Sequence, residues 1–560
     1  MGFIVKQVSS LEKIQKNEVF HYDEVRKKTA LAGERFSYQI CAQSDGGIGE
    51  TIAADVSVES AFGCNAKLYL VKDVYLDKPY THLNMEGEDF LTNEPCFMPD
   101  VLIPIEEQKN MCYLDECNRF WVKVDIPKDT VPGKYTVTVN ITPTNDERER
   151  GKSFDLHETM EIEVISAVKE PQKLIYTRWF HADCVAIQHG VEIYSEAHWE
   201  LIEKYIAAAA DVGVNMILVP IHTPPLDTAI GTARPCVQLV DIEKTKDGYV
   251  FSFEKFKRFI DICKKNGIQY FEMAHLFSQW GAKCAPNIMV TENGKKDYMF
   301  GWHVAADSDE YVDFLKQYIA ALSKELDREE ISQNTYFHIS DEPAPDNMDR
   351  YKTASDIIRP LIGQSKTFDA LSNYVFYEKG LVECPVTFVK KIHNFLEHDV
   401  PNQWLYYCCV AQEVFTNCYL AMPSYRVRIL GYLLYKYDIK GFLHWGLNFY
   451  YSKLSKYPIN PYLTTSAEGV YPSGEPYIVY PSKDGVYPSI RGEVTYEAIQ
   501  DMDICRTLEQ YIGRDAVVKM IDEAAGVELR FDQYPKSKEF VEGLRTRMIE
   551  KLGTCCRGNI

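Results

Sequence analysis

Asp341 and Glu342 are adjacent carboxylates in the stretch Asn334–Asn347, which reads N-T-Y-F-H-I-S-D-E-P-A-P-D-N. Two acids side by side can divide proton work: one donates, the other steadies positive charge. Thr335–Ser340, before them, is β-branched and aromatic and predicts a short buried strand. Pro343, after them, cannot donate a ladder hydrogen bond and pushes Glu342 toward an extended conformation. Acid pairs recur at Asp23–Glu24, Asp115–Glu116, Asp146–Glu147, Asp309–Glu310 and Asp522–Glu523. Such pairs on an acidic chain are ordinarily solvated. Only Asp341–Glu342 follows an apolar strand and precedes a helix start signal.

Other predicted strands end on residues of similar character. Their ends give Asp183, His275, Asn373, Tyr406, Trp445 and Asn448. His181 stands beside Asp183, and Trp302 lies in the long loop after His275, which also carries Trp280. The set is acids, amides and aromatics; it contains no lysine, and neither a Ser-His-Asp nor a Cys-His arrangement is evident. Aromatic faces that stack on a sugar, with carboxylates and amides for its hydroxyls, describe glycoside hydrolysis. Trp445 reads either as core packing or as a stacking platform, and His275 either as a core histidine or as a contact. Cys408 and Cys409 read as core. Tyr406 and Tyr407 alternate, so one of them faces the site.

These residues need a scaffold that brings strand ends together. Residues 1–168 read as a β-sandwich, from short alternating runs at Phe36–Cys41, Lys67–Val71, Phe120–Val124, Tyr135–Ile141 and Met160–Ile165. The stretch Phe120–Ile141 holds two strands around a turn. The sandwich reads as structural support, with carbohydrate binding as the alternative. Residues 169–510 then alternate strand and helix, with strands at Leu174–Phe180, Met216–Pro220, Gln269–Ala274, Thr335–Ser340, Thr367–Leu371, Val386–Val389, Trp404–Cys409 and Gly441–Leu447. Helices are predicted from Ser195 to Gly213 and over Phe253–Lys265, Glu310–Leu326 and Tyr425–Tyr437. About eight strands over roughly 330 residues is the rhythm of a (β/α)8 barrel, an α/β fold whose strand ends converge on one mouth. A doubly wound open sheet is the alternative. A tyrosine- and proline-rich loop over Ser452–Ser489 is expected to wall the site. Helices at Thr495–Ile512 and Ala516–Lys551 are expected to pack on the barrel, residues 511–560 forming a C-terminal extension.

The composition excludes several classes. The 560 residues carry a formal net charge of −20, which argues against nucleic acid and anionic membrane surfaces as partners. No apolar run reaches transmembrane length. The N-terminal residues lack a signal-peptide core, so a cytoplasmic location is expected. The 16 cysteines include no C-x-x-C and read as reduced thiols. Metalloprotease, dinucleotide and Walker motifs are missing, so neither metal nor cofactor is expected.

Six ordered segments carry a resemblance. They are R-W-F-H-A-D at Arg178–Asp183, H-I-S-D-E-P at His338–Pro343, D-A-L-S-N at Asp369–Asn373, W-L-Y-Y-C-C at Trp404–Cys409, G-F-L-H-W-G-L-N at Gly441–Asn448 and S-I-R-G-E at Ser489–Glu493. Over about Pro171 to Leu508 the chain resembles glycoside hydrolase family 123 and a wider group of uncharacterised barrel proteins. The resemblance implies an exo-acting β-N-acetylgalactosaminidase that acts on an oligosaccharide or glycolipid with terminal β-linked GalNAc. It also implies a retaining, substrate-assisted mechanism, in which Asp341 orients the 2-acetamido group and Glu342 is the general acid and base. Both acids reach one sugar only if the backbone leaves strand geometry there, since neighbours on a strand face opposite ways. A glycosidase for another 2-acetamido sugar and a silent carbohydrate-binding protein are the rival readings.

Overall fold

The computed structural model describes residues 3–16, 22–44, 52–82, 89–108, 112–114 and 117–558. Two five-stranded sheets face each other in the N-terminal part. Gly133–Pro143 illustrates why: Val137, Val139 and Ile141 are buried while Thr136, Thr138 and Asn140 are not, the period-two pattern of a strand with one face on a core. Asn118–Asp125 and Gly133–Pro143, predicted as two strands around a turn, belong to different sheets. The turn between them carries the chain across the sandwich.

The second unit is a closed parallel barrel. Its strands are β1 (Ile175–Arg178), β2 (Met216–Val219), β3 (Tyr270–Met273), β4 (Thr335–Phe337), β5 (Lys366–Leu371), β6 (Cys384–Phe388), β7 (Trp404–Tyr406) and β8 (Gly441–His444). Ile175 of β1 pairs with Gly441 of β8, and this pairing closes the ring and removes the open-sheet alternative. Every residue of β2, β7 and β8 is buried, as expected of strands covered on both faces. Gly441 is needed at the seam: a Cβ there would come within 2.0 Å of the Trp404 ring.

Several elements differ from the sequence reading, among them the helix predicted over Tyr425–Tyr437, which is two helices, Ser424–Arg428 and Leu430–Lys436. The long loops after β2 and β3 carry a four-stranded sheet of Gly248–Ser252, Asp241–Thr245, Ile288–Glu292 and Lys295–Phe300. Asp241–Thr245 and Lys295–Phe300 carry three charges each, and all four strands are only five or six residues long, so no sustained apolar alternation marks them. The helix predicted over Ala516–Lys551 is two helices, Arg514–Ala525 and Lys538–Gly558. Gly526, at φ +68°, ends the first in the left-handed conformation that favours glycine. The helix predicted from Thr495 begins at Ile490, where the Ser489 hydroxyl accepts from Gly492 N.

The last helix packs against helix Ile490–Ile512 and also against sandwich strands Lys27–Ala32 and Leu156–Val168. Arg545 bonds Glu34, and Ser9 Oγ donates to Glu542 at 2.6 Å. Charges also cross between sandwich and barrel: Lys123 lies 2.6 Å from Asp211 and 3.1 Å from Glu493, and Arg35 reaches the same two acids at 2.8 and 3.3 Å. Among the described residues, no helix is long and apolar enough to cross a membrane.

Candidate active site

The exit of β4 is held from below by a buried charge network. His338 is fully buried between two carboxylates, with Nδ1 3.1 Å from Asp369 Oδ1 and Nε2 3.0 Å from Glu272 Oε2. Burial opposes its charge, but the bonds to Asp369 and Glu272 prevail and push His338 up to about 9. Asp369 also accepts from Ile339 N and Ser340 N, and Glu272 from Trp179 Nε1 at 3.1 Å. Three neighbouring strands thereby fix the peptide that leads into Asp341.

His275 stacks on His338 at 3.9 Å and 11°. Burial and the His338 charge hold it well below the usual histidine range. Neither of its ring nitrogens has a hydrogen-bond partner. His275, His338 and Asp369 bring possible metal-ligand atoms within 4.8 Å of one another. Both His338 nitrogens are already engaged by carboxylates, so this donor set is a charge network rather than a good metal cage.

Above the network the chain departs from strand geometry. Glu342 has φ +43°, a conformation that non-glycine residues rarely adopt and that clusters at functional sites. Its amide donates to Ala370 O at 3.2 Å. In consequence Asp341 and Glu342, though adjacent, line one pocket of about 200 Å3. Asp341 is only 8% exposed. Its backbone oxygen accepts from Trp280 N at 3.0 Å and its Oδ2 from Gln279 Nε2 at 3.3 Å. Burial and the neighbouring Glu342 carboxylate push Asp341 up to about 8, against the pull of the His338 charge. Glu342 stands at the more exposed end, and its Oε1 accepts from the Tyr406 hydroxyl at 2.6 Å.

Other expected residues divide into two groups. His181, Tyr406 and Trp445 line the pocket with the acid pair. Trp445 is half-buried, bonds Glu475 through Nε1 at 2.7 Å and packs on Phe449 and Tyr471. Arg178 fixes the chain just beyond it, donating to Gly446 O at 2.9 Å. His181 accepts from Arg234, and burial with that guanidinium lowers it to about 3, so it is neutral. Tyr407 turns away from the pocket and packs on Phe442 and His444, as strand alternation requires.

Asp183, Asn448, His275, Trp302 and Asn373 do not line the pocket. Asp183 is fully buried and forks onto Arg234, with Tyr451 donating to it at 2.7 Å. Asn448 clasps the His181 backbone through two bonds, at 2.9 and 3.0 Å, and so positions His181. Asn373 accepts from Val375 N, and Trp302 donates to Thr232 O. His275 sits in the network below.

The sequence reading also missed pocket residues. Asp227, Gln279 and Trp280 reach the pocket from loops, and Trp179 and Phe449 from the ends of β1 and β8; Tyr471 comes from the tyrosine-rich loop that was expected to wall the site, though no one tyrosine was singled out. Trp280 is 52% exposed and has φ +56°. Cys408 and Cys409, expected in the core, line the pocket as well, because β7 ends at Tyr406 and alternation does not extend beyond Tyr407.

Comparison with known proteins agrees with this architecture. A family 123 glycoside hydrolase from Clostridium perfringens, solved to explain glycolipid glycan hydrolysis, superposes with a TM-score of 0.74 at 14% identity, covering 99% of this chain and 98% of its own. A termite-gut GH10 xylanase with a bacterial Ig-like domain matches more distantly, with a TM-score of 0.33 at 9% identity over 86% of this chain and 100% of its own. No curated protein matches. The family model described as glycoside hydrolase 123, catalytic domain, matches residues 179–508, and the chain therefore belongs to glycoside hydrolase family 123.

Proposed function

We propose that the protein is a retaining exo-β-N-acetylgalactosaminidase that removes terminal β-linked GalNAc from an oligosaccharide or glycolipid. The observation that carries the reading is the contrast within the acid pair. Asp341 is buried at the inner end of the pocket, whereas Glu342 is exposed and tied to Tyr406. A sugar whose 2-acetamido group meets Asp341 would turn its glycosidic oxygen toward Glu342. The C. perfringens relative's work on glycolipid glycans supports the substrate class.

In the first step the acetamido oxygen attacks the anomeric carbon as the bond to the leaving oxygen breaks. In the complex the acetamido N–H bonds the ionised form of Asp341, so the proton that Asp341 holds in the free site passes to Glu342. Glu342 gives it to the leaving oxygen, and the Asp341 carboxylate stabilises the positive charge that grows on the oxazolinium ring. In the second step Glu342 takes a proton from water, which attacks the same carbon and reopens the ring. Two inversions give net retention. Because the attacking atom belongs to the substrate, no protein nucleophile is required.

The test is turnover of an aryl 2-acetamido-2-deoxy-β-galactoside against the matching 2-hydroxy galactoside. Cleavage of the first and near inertness toward the second are expected. Comparable rates on both would sink the mechanism, preference for the gluco epimer would reassign the sugar, and no turnover on any aryl glycoside would favour a binding protein.

A further inference from the structure

Asp227 is a third carboxylate in the pocket, and the proposed mechanism gives it no task. It lies eight residues beyond the end of β2 and has φ +40°. Its partners across the mouth are equally unusual: Leu454 and Ser455 have φ +59° and +51°. Leu454 N donates to Asp227 Oδ2 at 3.0 Å, Ser455 Oγ to Asp227 O at 2.7 Å, and Ala229 N to Leu454 O at 3.1 Å. Three non-glycine residues in the left-handed region thus meet where the β2 loop and the tyrosine-rich loop clasp each other. Strain kept at one point by mutual hydrogen bonds marks a geometry the fold over-determines. The clasp turns one acid into the pocket, and the Tyr471 hydroxyl donates to that acid.

We infer that Asp227 is a specificity-determining substrate-binding residue, whose carboxylate accepts a hydrogen bond from a ring hydroxyl at the non-reducing side of the bound sugar. The inference rests on the proposed function and deepens it. Within this pocket the acid pair holds the acetamido group and the leaving oxygen, and Trp445 offers an apolar ring. The remaining hydroxyls need acceptors, and an ionised carboxylate accepts without competing donors of its own. A pocket built to bond a hydroxyl disfavours the analogue lacking it, because the charge-assisted bond that the hydroxyl adds to those from Leu454 N and the Tyr471 hydroxyl is then missing.

Wild type, Asp227→Asn and Asp227→Ala are compared on 4-nitrophenyl 2-acetamido-2-deoxy-β-galactoside and on its 3-, 4- and 6-deoxy analogues. Asparagine keeps an acceptor for Leu454 N. Wild type is expected to lose about 10- to 100-fold in kcat/KM on one analogue. Asp227→Asn should lose a similar factor on the parent and nothing further on that analogue, the mark of a broken pairwise contact. Equal losses across the series would mean that the loop has merely loosened, and would overturn the inference. So would turnover abolished in Asp227→Asn and restored by azide, which would make Asp227 the nucleophile. If neither variant folds, the wild-type series decides, since equal rates on all three analogues mean that no hydroxyl is read. Wild-type turnover of the parent separates the two readings. Its absence overturns the substrate assignment, and Asp227 is then judged on the same deoxy series built on whichever 2-acetamido sugar is cleaved.

Discussion

The Tyr406 hydroxyl lies 2.6 Å from Glu342 Oε1 and donates to it. This bond joins the end of β7 to a residue in a strained conformation after β4, and it fixes where the carboxyl points. Tyr406→Phe removes the hydroxyl and keeps the ring. The expected result is a kcat lower by about 10-fold, with KM little changed, since misplacing a catalytic group costs rate before binding. Steady-state kinetics on an aryl glycoside checks it; a change confined to KM would mean that Tyr406 serves the substrate instead.

Glu342 and Asp341 should respond differently to leaving-group quality. General acid catalysis contributes roughly 10²–10⁴-fold and matters most for a poor leaving group. Glu342→Gln is expected to lose most activity on natural disaccharides and to retain a first step on nitrophenyl glycosides. Asp341→Asn is expected to lose similar factors on both, because charge on the acetamido nitrogen develops whatever leaves. If Asp341→Asn is the variant sensitive to the leaving group, the roles are reversed.

Two raised groups set the pH dependence of stability with the same sign. His338 is held at about 9 when folded and near 6.5 when unfolded. Its contribution is therefore complete below about pH 6.5 and is lost as pH rises through 9. Asp341, at about 8 when folded and about 3.9 when unfolded, keeps a proton that the unfolded chain has released. Stability from this group likewise declines as pH rises through 8. The thermal midpoint should fall steadily from pH 6 to pH 9.5. His338→Gln strands two buried carboxylates, so it should cost about 3–5 kcal/mol and flatten the upper part of that decline. A midpoint that rises across this window would contradict the imidazolium assignment.

Trp445 lines the pocket yet also packs on Phe449 and Tyr471. Trp445→Ala should raise KM and lower kcat/KM while costing less than the roughly 3–5 kcal/mol of a fully packed aromatic truncation. Calorimetry beside kinetics separates the parts: a full core-sized loss with unchanged KM would make the ring structural.

The barrel was legible because its strands are short apolar runs bounded by breakers, and the acid pair because it follows one of them. What a strand end cannot reveal is where its residue turns. Asp183 and Asp341 both follow strands, yet Asp183 is buried against Arg234, a partner supplied by a distant loop. Asp227 was missed because it lies beyond any strand end, and its entry into the pocket depends on a clasp with residues more than two hundred positions away. Cys408 and Cys409 were read as core from their type alone, although the chain abandons alternation just before them. Strands such as Asp241–Thr245 and Lys295–Phe300 escaped notice because charged residues dominate them.

The ionic seam between sandwich and barrel bears on how the protein can be divided. Glu493 is fully buried, and its cationic partners Lys123 and Arg35 both come from the sandwich. The final helix fastens the same sandwich beside this seam, through Arg545 and Glu34, the neighbour of Arg35. A gene fragment spanning only residues 179–508 would strand the Glu493 charge without counterions and strip helix Ile490–Ile512 of its cover. Front, middle and tail should accordingly melt in one cooperative transition and resist release by limited proteolysis, making the hydrolase a single heritable block rather than a catalytic cassette with interchangeable attachments.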